Sequence, residues 1–93
     1  MPYRVILTRQ AAADLTAVRA WYGRGGMPAK ARVAHILSVI RELSDAPSRW
    51  PRDDREPSLR MRIVEGHRIR FLVDEGAGTV VIVRVRGPWQ DLP

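Results

Sequence analysis

The apolar positions change period along the chain. Tyr3 to Thr8 alternate weakly and are rich in β-formers, which predicts a first strand. Ala11, Leu15, Val18 and Tyr22 then recur at helical spacing, so a helix is predicted over residues 9 to 23, with Thr8 placed to cap its first turn. Gly23, Gly25 and Gly26 end it. Pro28 suits the first turn of a second helix, whose stripe of Val33, Ile36, Leu37, Ile40 and Leu43 runs to about Ala46, before Pro47 stops it. Two helices joined this way form an antiparallel hairpin, and its apolar stripe needs a sheet to cover it.

Residues 47 to 57 hold Pro47, Pro51 and Pro57 among mixed charges and read as a loop. Trp50 within it is expected to plug the edge of the core, because an isolated tryptophan usually buries its ring. Three strands follow, about 59 to 63, 67 to 74 and 79 to 86. A two-residue turn at Glu65-Gly66 would put Arg60 and Arg62 on the face of Ile69 and Phe71, mixing charge into the core. A three-residue loop, Val64-Glu65-Gly66 with Gly66 in a G1 bulge, avoids this and is the expectation. Leu59, Met61, Ile63, Ile69, Phe71 and Val73 then face inward, as do Val81, Val83 and Val85 of the last strand. With a second three-residue loop at Gly76-Ala77-Gly78, Arg84 lies opposite Arg70 and Arg86 opposite Arg68. The predicted fold class is α+β: a helical hairpin packed on a small twisted, mainly antiparallel, four-stranded sheet.

That register collects Arg60, Arg62, Arg68, Arg70, Arg84 and Arg86 on one outer sheet face. Like charges directly opposite one another destabilise a sheet by up to about 1 kcal/mol per pair, so a chain selected for stability alone would interleave glutamates. The face therefore reads as a surface for nucleic acid or another polyanion; a merely solvated face is the alternative. Composition points the same way. Net charge is +6, and every basic residue except Lys30 is arginine, whose planar fork grips phosphate or carboxylate bidentately.

With 93 residues the chain is expected to be one domain spanning 1–93. It has no cysteine and no apolar run long enough to cross a bilayer. A cytoplasmic protein that does not enter membranes is expected, with no cofactor and no metal site. Chemistry on the arginine face is limited, because arginine stabilises phosphorane charge but cannot shuttle protons. His67 falls on the inner face at the hairpin end, and His35 on the polar side of the second helix.

The opening YRVILT, the AAADL that leads the helical hairpin, IRELSDAP closing it, LRMRIVEGHRIRFLVD and the final VVIVRVRG with QDL together resemble the RelE/ParE superfamily of toxins from type II toxin–antitoxin pairs. The resemblance spans essentially the whole chain. It implies growth inhibition and a cognate antitoxin that wraps and neutralises the toxin in a hetero-oligomer. It also implies a target, and two are in view. In a RelE-like reading the chain is an endoribonuclease that cuts messenger RNA on the ribosome, with Arg60, Arg62, Arg68 and Arg86 matching the catalytic basic positions. The C-terminal residues GPWQDLP contain no tyrosine or histidine to act as acid or base. This ribonuclease reading is the expectation, because the paired arginines lie where RNA phosphates would be held. In the alternative, ParE-like reading, toward which the long helical hairpin with Trp21 and Tyr22 closing its first helix leans, the target is DNA gyrase. A degenerate, non-catalytic nucleic-acid-binding module is the third reading.

Overall fold

The computed structural model describes residues 2–88 and residue 90. Strand β1 (Arg4–Leu7) leads into helix α1 (Arg9–Tyr22) and helix α2 (Gly26–Glu42); a 3-10 turn at Pro47–Arg49 precedes β2 (Arg60–Val64), β3 (His67–Asp74) and β4 (Thr79–Arg86). The sheet order is β1-β4-β3-β2. β1 runs parallel to β4, and the other neighbours are antiparallel. The expected α+β arrangement of a helical hairpin on a four-stranded, mainly antiparallel sheet is the observed one.

Helix α1 begins where the sequence places it. The Thr8 hydroxyl accepts a hydrogen bond from the Ala11 N–H at 3.1 Å, satisfying one of the donors that a helix start leaves open. Ala11, Leu15 and Val18 are buried against the sheet, and Ile36, Val39, Ile40 and Leu43 join them from α2. The second helix stops earlier than expected. Leu43 is already its cap, and Ala46, expected as its last residue, is left-handed with φ of 44°.

The β2–β3 connection differs from expectation. Val64 pairs directly with His67, so the turn has two residues, Glu65 and Gly66, both with positive φ (50° and 74°). This is the twist that joins two right-twisted strands without splaying them. It pairs Arg60 with Phe71 and Arg62 with Ile69, which turns both arginines to the core side and turns Met61 and Ile63 outward, opposite Arg70 and Arg68. Ile63 is 51% exposed as a result. The core tolerates the two arginines because β2 is an edge strand. Beside it the half-buried Trp50 packs on the core, and the Arg62 guanidinium lies 4.3 Å from the centre of the indole ring. The two charged heads are held by the Trp50 and Ile63 carbonyls and by the indole face.

In the β3–β4 hairpin, Asp74 pairs with Thr79 across a four-residue connection, one step out of the expected register. A bulge at Val83 restores it: Arg70 faces Arg84 and Arg68 faces Arg86 as expected. The shift exchanges the buried set on the near half of β4. Val80 and Ile82 are buried there, while Val81 and Val83, expected inside, are only partly covered; Val85 beyond the bulge is buried as expected. Helix α1 takes up the backbone groups that the bulge displaces. The Thr8 hydroxyl donates to the Val83 carbonyl at 3.0 Å, and the Val85 N–H donates to Asp14 at 2.8 Å.

Candidate functional site

The six expected arginines do not share a face. Arg60 and Arg62 stand on the helix side of β2, and Arg68 and Arg70 on the opposite side of β3, because residues paired across strands point the same way and the pairing places Arg60 and Arg62 with buried apolar residues. Arg84 and Arg86 are in register with Arg70 and Arg68. The four therefore form a cross-strand quartet on the two central strands.

Two of the quartet are already neutralised. The Arg70 Nε donates to Asp53 at 3.2 Å, with the two side chains 11% and 3% exposed. Arg84 makes a two-point contact with Asp14, its Nε and a terminal nitrogen donating at 2.9 and 3.1 Å. That carboxylate also takes the Val85 amide, so a single α1 residue ties helix, bulge and guanidinium together. Arg86 donates to the Gln90 carbonyl at 2.9 Å, and the Gln90 side chain accepts from the Gly87 N–H. Arg68 makes no ion pair among the described residues. Arg68, which faces Arg86 across the strands, is thus the member of the quartet whose charge no described residue pairs. Ile63 completes their row, opposite Arg68 on β2.

Asp14 and Asp53 were not singled out as site residues from sequence. Asp14 carried a signal, since it stands three residues after Ala11 and one before Leu15, inside the buried stripe of α1. A carboxylate there requires a buried partner. Asp53 carried none, lying in a loop of mixed charge.

Neither histidine stands beside the quartet. His67 is buried on the inner face as expected, its Nδ1 2.9 Å from the Glu65 carbonyl and its ring 6.0 Å from that of Tyr22. His35 is exposed on α2, 3.6 Å from Glu65. Among the described residues no group of three His, Cys, Asp or Glu side chains could hold a metal ion, and no helix is long and apolar enough to cross a membrane. Trp89, Asp91, Leu92 and Pro93 of the C-terminal GPWQDLP lie outside the described residues.

The helical hairpin offers a second feature. Between the end of α1 and the middle of α2 runs an open apolar groove of about 280 Å³, lined by Tyr22, Val33, Ala34 and Leu37 with Arg19 and Lys30 on its rim. Trp21, one residue from Tyr22, is 67% exposed.

The family profile described as the ParE toxin of the type II toxin–antitoxin system parDE matches residues 5–90. The chain belongs to the ParE toxin family. Solved structures similar to this ParE-family chain agree on the fold. A chain of the chromosomal ParDE toxin–antitoxin system from P. aeruginosa superposes with a TM-score of 0.77 at 24% identity, covering 91% of this chain and 95% of that one. A chain of the RelBE2 toxin–antitoxin complex from Mycobacterium tuberculosis gives 0.68 at 24% identity, covering 94% and 99%. No curated protein matches. Membership in the RelE/ParE superfamily, expected from the strand and hairpin motifs, therefore stands.

Proposed function

We propose that this ParE-family chain is the growth-inhibiting toxin of a type II pair, that it acts on DNA gyrase, and that a cognate antitoxin neutralises it by forming a hetero-oligomer with it. The observation that carries the choice of target is the division of the arginines. A ribonuclease of this size needs cations converging on one phosphate together with a proton donor and acceptor. Here Arg60 and Arg62 face away from Arg68 and Arg86, Arg70 and Arg84 are held by aspartates, and the two histidines stand elsewhere. Gyrase inhibition requires docking and no proton shuttle, and the family match lies on the ParE side. The antitoxin is supported by the company the similar structures keep, in ParDE and RelBE2 complexes.

Ribosome-dependent messenger RNA cleavage is the second reading, favoured by the cross-strand pair Arg68 and Arg86. In that reading these two residues stabilise the transition state and the ribosome supplies the proton transfers. Induced expression without antitoxin separates the two. The gyrase reading expects inhibited supercoiling and DNA breaks with message ends unchanged; new in-frame 5′ ends with supercoiling intact would replace it by the ribonuclease reading.

A further inference from the structure

The two-residue turn that removes Arg60 and Arg62 from the quartet delivers them to a different neighbourhood. Both flank Trp50. The Arg62 guanidinium lies 4.3 Å from the indole centre and that of Arg49 5.0 Å from it, while Arg60 donates to the Trp50 carbonyl at 2.8 Å. Arg52 is bridged in register with Arg60, so it stands on the same side of the sheet edge, and it donates to the Pro57 carbonyl at 2.9 Å. Two guanidiniums thus lie against the indole, a third is tied to the Trp50 backbone, and Arg52 stands on the same side of the sheet edge.

None of the four makes an ion pair with a carboxylate among the described residues. The nearest buried acid, Asp53, is engaged by Arg70 and by the Glu56 N–H. Glu56 in turn accepts from the Ser58 hydroxyl. The four are held instead by neutral carbonyls and by the ring face, which fix a guanidinium in place without cancelling its charge. Like charges gathered in this way repel one another, and an external anion would relieve that repulsion. Arg70 and Arg84, each paired with an aspartate, show how the same chain treats an arginine whose charge it neutralises.

We propose that Arg49, Arg52, Arg60 and Arg62 form a second anion site, distinct from the Arg68–Arg86 pair, that binds the phosphodiester backbone of nucleic acid without reading its sequence. The chemistry of the surroundings selects this ligand. Two guanidiniums already lie against the Trp50 ring, which leaves the indole engaged and offers no open platform for stacking a base. A peptide has little to add there. The sheet edge beside Arg60 is closed to an incoming strand by the chain itself, through the Asp53 N–H to the Leu59 carbonyl and the Met61 N–H to the Pro51 carbonyl, both at 2.9 Å. The exposed Ile63 that could anchor an apolar residue points to the other face. What remains is charge in a fixed array, with Arg60 and Arg62 about 6.6 Å apart along the strand. The inference does not depend on which target the toxin inhibits.

The test is fluorescence anisotropy with the purified full-length chain and labelled duplex DNA, single-stranded RNA and polyglutamate, over about 50 to 200 mM salt. The variant is R49Q/R52Q/R62Q, with R68Q/R86Q as the comparison and thermal melts to confirm folding; R49E/R52E, confined to two exposed positions, replaces the triple variant if that does not fold. The triple variant is expected to lose about tenfold or more in nucleic-acid affinity, and its log–log salt slope on duplex DNA to fall by about 2 to 3, near one for each arginine removed. Loss on DNA alone, on RNA alone or on both supports the site and identifies its ligand. The proposal is overturned if the folded variant keeps the wild-type affinity and slope, if only polyglutamate binding falls, or if R68Q/R86Q alone removes all nucleic-acid binding. Gyrase inhibition measured on the same variants keeps this outcome separate from that of the target.

Discussion

Asp53 and Arg70 meet almost out of reach of water, and Asp14 receives three hydrogen bonds from the bulge region of β4. Removing one member of such a pair leaves the other charge buried without compensation, which costs about 3 to 5 kcal/mol, whereas replacing both by apolar residues of similar size is often neutral. Asp53→Ala should therefore lower stability in urea by about 3 kcal/mol, with Asp53→Leu/Arg70→Met recovering most of the loss. Arg68→Ala, with no ion pair to lose, should stay within about 0.5 kcal/mol of wild type. At the opposite corner, the Tyr3 hydroxyl donates to Glu75, whose other oxygen accepts from Ser48. That hydrogen bond, then desolvation, then the negative charge of Glu75 raise the phenol above its usual pKa of 10.0. A raised folded-state value gives stability that is present below the unfolded pKa and is lost as pH climbs through the folded one. The urea midpoint should thus fall more steeply above about pH 10 in wild type than in Tyr3→Phe, and parallel pH curves for the two proteins would contradict the assignment. At this scale the sequence held a signal where a residue type conflicted with its position, as Asp14 does, although that residue is not among the site residues expected from sequence. It was silent where the partner lay far along the chain.

Among the elements, strands and helices were legible nearly to their ends, because period and punctuation agree. Register was not. The three-residue turn expected at Glu65 rests on arginine facing away from the core, which holds for a central strand but not for an edge strand with Trp50 beside it. Turn geometry won over patterning, since Glu65 and Gly66 both take positive φ at a spacing that matches strand twist. Glu65→Asn, which suits the first of these positions better, should raise stability by about 0.5 kcal/mol, and Gly66→Ala should lower it by about 1 to 2 kcal/mol, both read from denaturant melts. The β4 bulge was equally hidden. Two departures, one at the Asp74–Thr79 connection and one at Val83, cancel beyond Arg84, so the expected arginine pairs were obtained while the buried set behind them was exchanged. Thr8 serves both the start of α1 and this bulge, so Thr8→Ala should cost more than the roughly 1 kcal/mol of an ordinary N-cap, again measured by denaturant melts.

For the whole molecule, the layer order and the family were readable because many loose motifs occur in one sequence order. The distribution of charge over the surface was not, since it depends on two turns of uncertain length. The result is a protein with arginines on both sides of one sheet, a cross-strand quartet of Arg68, Arg70, Arg84 and Arg86 and a carbonyl-held cluster around Trp50. The position of β4 has a further consequence. The last described strand of the chain is central: it pairs with both β1 and β3 and receives α1. The chain through β4 must therefore have left the ribosome before the first strand and first helix find their long-range partners, and such non-local pairing is slow to form. Until β4 emerges, β1 and α1 lack the strand on which they pack, so the helical hairpin can form early while the sheet closes only as a late step of folding.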